Sequence, residues 1–130
     1  IKSLMTNIEQ TTYSAVMGAV VSSIRREKGI EQIDVANRMG LSQASYSRLE
    51  GGKATFSIDQ VFLVADALKI SPSELFQRVC TTIGKLEAEQ FGVVAQQRSN
   101  AIGSQDSQVG TLVAGAALGA LLIGLLSKSK

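Results

Sequence analysis

Histidine and tryptophan are absent from this 130-residue chain, and cysteine and proline occur once each. Each shortage excludes something. Without histidine, the usual His-based triads and proton shuttles have no base. One thiol and no imidazole cannot assemble a Cys/His metal site. Cys80 alone cannot close an internal disulfide, so the fold needs no oxidising compartment. It is expected as a small buried or interface hydrophobe. Charge is scarce too. Thirteen Lys plus Arg against eleven Asp plus Glu leave +2, too little to announce a nucleic-acid partner by bulk attraction. The acids are scattered, no pair stands at a catalytic spacing, and they are expected to face solvent. No enzyme constellation and no cofactor site emerges. The first residues lack the basic segment, apolar run and small-residue cleavage site of a secretory signal. Met5 is the expected natural start, with Ile1 to Leu4 upstream of it.

What the chain does have is helical periodicity, in three regions. Nothing alternates with period two for long enough to argue for a sheet, and no internal repeat is evident. Residues 12–78 read as a compact helical domain. Val16, Val20, Val21 and Ile24 make one face of a first helix, which stops at Lys28-Gly29. A short second helix, from about Glu31 to Arg38, is expected to bury Ile33, Ala36 and Met39. Gly40 breaks it. Ser42 caps a third helix running to about Glu50, with Tyr46 and Leu49 inward. Gly51-Gly52 ends that one. Ser57 caps a fourth, carrying Ile58, Val61, Phe62, Ala65 and Leu68. Ser71-Pro72-Ser73-Glu74 is a capping box with proline at the first helical position, opening a fifth.

Two short helices joined by a glycine-containing turn are the helix-turn-helix arrangement, and residues 32–50 fit it. Ala36 is small where the two helices must approach, and Gly40 accepts the positive φ of the turn. Leu41 and Leu49 plug the core from either side. The second helix then turns Gln43, Ala44, Ser47 and Arg48 outward. Glutamine bonds adenine and arginine bonds guanine at two points each, and a good pair discriminates by about 1–3 kcal/mol.

The ordered series Ile24-Arg25-Arg26-Glu27-Lys28-Gly29, Gln32, Ala36, Gly40-Leu41-Ser42-Gln43, Ser47-Arg48-Leu49-Glu50-Gly51-Gly52-Lys53 and Leu68 to Phe76 resembles the phage repressor and Cro (XRE) family. The resemblance covers about residues 14–77. It implies a five-helix repressor-like domain that binds double-stranded DNA as a dimer, with the helix after Gly40 in the major groove. The DNA-binding residues it implies are Gln32, Ser42, Gln43, Ala44, Ser45, Ser47, Arg48 and Lys53. Gln32 would touch phosphate and Lys53 would lie near the backbone. Arg25 and Arg26 are further phosphate candidates, or else a solvated helix end. Arg48 has an alternative partner in Glu50. Glu31 stands where the family often has Ser or Thr, and Tyr46 where an aliphatic residue is commoner.

Beyond the domain, Phe76, Val79, Ile83, Leu86, Gln90, Val93 and Gln97 follow alternating spacings of three and four. That heptad seam makes residues 79–97 a helical stalk, either self-associating or folded back on the domain. Residues 98–108 are a polar, flexible linker. From Val109 to Leu126 run eighteen residues without a charge, within an apolar, Gly-rich helix expected over residues 109–127. Gly115 and Gly119 form a GxxxG pair, suited to close helix packing. The run reads as a membrane anchor, as an oligomerisation or filament-forming helix, or as a disordered tail. As a helix it would reach about 27 Å, just short of a hydrocarbon core of about 30 Å. The whole is an all-α architecture. The expected function is that of a cytoplasmic transcriptional regulator, a repressor acting as a dimer or higher homo-oligomer and tethered to the inner membrane if residues 109–126 anchor it. The alternative is a structural assembly protein that polymerises through its Gly-rich helix and carries a repressor-like domain.

Overall fold

A computed structural model describes residues 9–96 and 111–128. The linker over 98–108 and the expected start at Met5 lie outside the described residues. In chain order the elements are β1 (Glu9–Thr12), α1 (Tyr13–Glu27), α2 (Gln32–Met39), α3 (Gln43–Glu50), α4 (Ile58–Leu68), α5 (Pro72–Ala88), β2 (Gly92–Val94), β3 (Thr111–Leu112) and α6 (Ala116–Lys128). The fold is mainly helical, and α1 to α5 form the expected five-helix domain.

Local chemistry sets the helix boundaries. Thr12, Ser42, Ser57 and Ser71 each accept a backbone N–H of the turn they open, which satisfies a donor with no intrahelical partner. Ser57 and Gln60 form a reciprocal box, each side chain bonding the other's backbone at 3.0 Å. The box expected at Ser71 is only half made. Ser71 caps the Glu74 N–H at 3.0 Å, but the Glu74 carboxylate accepts from Arg78 at 3.3 Å instead. Gly40 ends α2 at φ 75°, a left-handed conformation that costs glycine little.

The core is built around α1. Ala15 through Val21 are buried without a break, as is Ile24, because α3, α4, α5 and α6 all pack on this helix. Val35, Ala36, Met39, Tyr46, Leu49, Val64, Ala65, Leu68 and Leu75 complete it. Gly18 marks the tightest crossing. A Cβ there would press on the carbonyl oxygens of Leu49 and Glu50, so α1 lies directly against the end of α3. Three residues expected inside are exposed, namely Ile33, Ile58 and Phe62. They belong to short helices whose buried stripe is already filled by Val35 and Ala36 in one case and Val64, Ala65 and Leu68 in the other. Cys80, expected buried or at an interface, is also exposed.

Two regions depart from the expected architecture. The stalk does not run through as one helix to residue 97. α5 stops at Ala88, Gln90 takes φ 64°, and the Phe91 N–H reaches back to the Leu86 carbonyl at 3.0 Å. Phe91 and Val93 then enter the core. Phe91 lies off the heptad seam, and a continued helix would leave it in water; turning the chain buries it. The seam residues Val79 and Leu86 are spent on the domain's own core.

The second departure is a small parallel sheet in the order β2-β1-β3. Gln10 pairs with Gly92 and with Leu112 on its two sides. Strands of four, three and two residues are too short to show an alternating pattern. Beyond β3, the Val113 N–H donates to the Gln10 carbonyl at 2.8 Å, and the Thr11 hydroxyl donates to the Val113 carbonyl. The chain then enters α6, whose Leu118 is fully buried. With 13 residues, α6 is about 20 Å long. No helix among the described residues is long and apolar enough to cross a membrane.

Candidate nucleic-acid interface

The outward face of α3 is polar. Ser42, Gln43, Ala44, Ser45, Ser47 and Arg48 are exposed, and so is Lys53 just beyond the helix. Gln32, at the first turn of α2, is half-buried. One helix and its flanking turns thus gather seven of the eight residues assigned to DNA, and Gln32 reaches them by a side-chain bond. Gln43 Nε2 donates to Gln32 Oε1 at 3.4 Å. Arg48 does not pair with Glu50; its Nη2 donates to the Lys53 carbonyl at 3.5 Å. Glu31 caps α2 by backbone position without a side-chain bond.

Beneath this surface lies a network of buried polar side chains. Glu50, expected in solvent, is only 7 % exposed, and Arg25 is 8 % exposed. Arg25 Nε meets Glu50 Oε2 at 2.6 Å, and Arg25 Nη2 meets Oε1 at 3.2 Å. The remaining Arg25 amine, Nη1, donates to the Ile30 carbonyl at 2.8 Å. The Tyr46 hydroxyl also donates to Glu50 Oε2, and Gln32 Nε2 donates to Oε1 at 2.9 Å. Arg25 is therefore not a phosphate contact: its guanidinium is consumed inside the protein. A signal for this was present. Tyr46 and Glu50 are four residues apart and share one helix face, so an inward Tyr46 carries Glu50 inward with it.

The electrostatics follow from that packing. Burial on its own raises the Glu50 carboxyl, but hydrogen bonds from Arg25, Tyr46 and Gln32 and the Arg25 charge outweigh it and hold the group below the usual carboxylate range. The same bond to Glu50, followed by attraction to its charge, raises Arg25 against desolvation. Burial, then the bond to Glu50, pushes the Tyr46 phenol up. The pair is thus ionised at neutral pH and Tyr46 is a neutral donor. No buried side-chain polar atom among the described residues lacks a partner. The sequence Arg25–Glu50–Gln32–Gln43 is a continuous chain of bonds from the core to the first residue of α3.

A helix-turn-helix family model matches residues 21–75. An uncharacterized HTH-type transcriptional regulator of Sinorhizobium fredii, y4dJ, is 37% identical over 60 residues, which are 46% of this chain and 78% of that protein. This chain belongs to the repressor-type helix-turn-helix family. The family is one of DNA-binding transcriptional regulators, not of enzymes. Two solved structures share the fold of this regulator. The clp gene regulator ClgR of Corynebacterium glutamicum matches with TM-score 0.57 and 23% identity, over 59% of this chain and 82% of that one. The wild-type restriction-modification controller protein C.Esp1396I matches with TM-score 0.50 and 25% identity, over 53% and 90%. All these matches cover only about half of the chain.

Proposed function

We propose that the protein is a sequence-specific DNA reader that docks α3 in the major groove, with Gln43 and Arg48 on base edges. The observation that supports this best is the pairing of Gln43 with Gln32 at 3.4 Å over the buried Arg25–Glu50 pair. A side chain held before docking loses less freedom when it binds. Ser42, Ala44, Ser45 and Ser47 line the same face, and the exposed cations Lys53 and Arg26 are proposed as phosphate contacts. Repression by a dimer is the proposed mode of action. Ile58 and Phe62 share one exposed face of α4 by their spacing, and Phe76 is exposed on α5. Such a face suits a second copy, which would set two recognition helices about one turn of duplex apart. Action in the cytoplasm accompanies this reading. Tethering through residues 109–126 has less support, because Leu118 is buried against the domain.

Selection from a random duplex pool tests the reading. The protein enriches a two-fold symmetric motif, and its affinity for that motif falls steeply with salt. Gln43→Ala with Arg48→Ala abolishes the preference for the motif over a scrambled duplex. Retained discrimination by this folded double variant overturns the assignment.

A further inference from the structure

Bordered by Ser47 of α3, an open groove of about 950 Å³ lies between α1, α5 and α6. That places it near the upper end of small-ligand sites, at about 300–1,000 Å³. Its two sides differ in chemistry. One is apolar and nearly featureless: Ala116, Gly119, Ala120 and Ile123 of α6 face it, together with Ala19 and Val20 of α1. A Cβ placed on Gly119 meets nothing within 4 Å, and Ile123 is 68% exposed. Leu118, on another face of α6, is the residue sealed into the core. The helix is therefore held by one face while its small-residue face stays open to the groove.

The other side is polar, and its charges are unevenly engaged. Three carboxylates line the groove: Glu27, Glu50 and Glu74. Glu50 is neutralised by Arg25, and Glu27 and Glu74 share Arg78, at 3.7 Å and 3.3 Å. Arg26 and Lys85 also line it, and neither takes part in any of the ion pairs among the described residues. Arg26 and Lys85 together outweigh the one carboxylate charge that Arg78 leaves uncompensated. An apolar wall facing free cations suits a ligand with an apolar body and one negative charge. It does not suit a cation, and a fully polar anion would leave the α6 wall without contact.

We propose that this groove is a binding site for a small amphipathic carboxylate, with its chain along α6 and its acid group on Arg26 or Lys85. The site adjoins the DNA-reading machinery. Gln32, Ser47, Glu50 and Gly51 lie on its wall, so the groove borders both Gln32, which holds Gln43, and the end of α3. The ligand would thereby act as an effector. This regulatory step rests on the DNA-reading proposal; the binding step does not.

Decanoate is the probe, titrated into the full chain by calorimetry without DNA. Saturable binding at one site per chain is expected. Gly119→Leu, which places a side chain in the groove without touching the core, weakens it at least tenfold. Arg26→Gln with Lys85→Gln weakens decanoate but leaves decanol unchanged. Absence of saturable binding, or binding indifferent to Gly119→Leu, overturns the site. Equal binding of decanol and decanoate to the parent protein overturns the acid-group assignment. If Gly119→Leu instead shifts a monomer–dimer equilibrium in sedimentation while decanoate does not bind, the groove seats a second copy and the proposal is wrong. For regulation, saturating decanoate changes affinity for the selected duplex at least threefold, an effect lost in Gly119→Leu. An unchanged affinity overturns the effector role, whereas a protein that selects no duplex fails the DNA reading and leaves the calorimetric result standing.

Discussion

Glu50 is the residue on which the reading surface is mounted. Its two oxygens accept from Arg25, Tyr46 and Gln32, and Gln32 in turn steadies Gln43. Removing one partner of a buried ion pair leaves an uncompensated charge and costs about 3–5 kcal/mol. Glu50→Ala is therefore expected to lower unfolding stability by that amount in a urea titration, a large part of the whole for a small domain. Replacing both partners, Arg25→Met with Glu50→Leu, recovers part of the loss, because no orphan charge remains although the Tyr46 hydroxyl and the Ile30 carbonyl lose their partners. The double variant should still bind DNA more weakly, since Gln32 loses its anchor. A second expectation concerns pH. The folded Glu50 carboxyl sits below its unfolded value, about 4.3 for glutamate. Its contribution is thus fully present above that value and fades as pH falls through the folded one. Acid titration of stability should show a loss below about pH 4 that is smaller in the Arg25→Met, Glu50→Leu variant.

At the scale of elements, the crossing of α1 over the end of α3 fixes the orientation of the reading helix. Gly18 has backbone oxygens of Leu49 and Glu50 where a Cβ would go, and backbone cannot yield as a flexible side chain can. Gly18→Ala is expected to cost about 1–3 kcal/mol by overpacking, with weakened DNA binding as α3 tilts; thermal melting and a binding titration check both. The helix boundaries were legible in the sequence because caps and glycines are local signals: Ser42, Ser57, Gly40 and Gly51 act within a turn or two of themselves. The outward set on α3 was legible for the same reason, through its 3.6-residue period. The end of α5 was not. It depends on Phe91 finding a pocket, which no pattern of neighbours encodes. The β1-centred sheet was hidden because it joins residues about eighty and one hundred positions apart. Arg25 was misplaced because a charged residue near a helix end reads as solvent-facing until its partner, twenty-five positions away, is known.

For the whole molecule, the apolar C-terminal run is docked on the domain it follows. Leu118 is sealed in the core, with Val113, Leu121 and Leu122 half-buried around it. Burying one leucine is worth about 1.5–3 kcal/mol. A chain ending at residue 108 should therefore be less stable by an amount of that order, yet keep its DNA preference, since none of the eight assigned DNA residues lies beyond Lys53. Chemical unfolding and duplex titration of the truncated chain test the two halves separately. A truncated chain that loses DNA preference while still folded would mean the tail takes part in reading.

The most direct measurement locates α3 on the duplex. A DNA-cleaving iron chelate attached at Ser47→Cys, with Cys80→Ser removing the native exposed thiol, is bound to the selected motif and the cut positions are mapped. Docking of α3 in the groove predicts cuts clustered across the major groove of each half-site. The same chelate at Asp66→Cys, on α4, should give far fewer. Equal cutting from both positions, or no localised cutting from position 47, would contradict it.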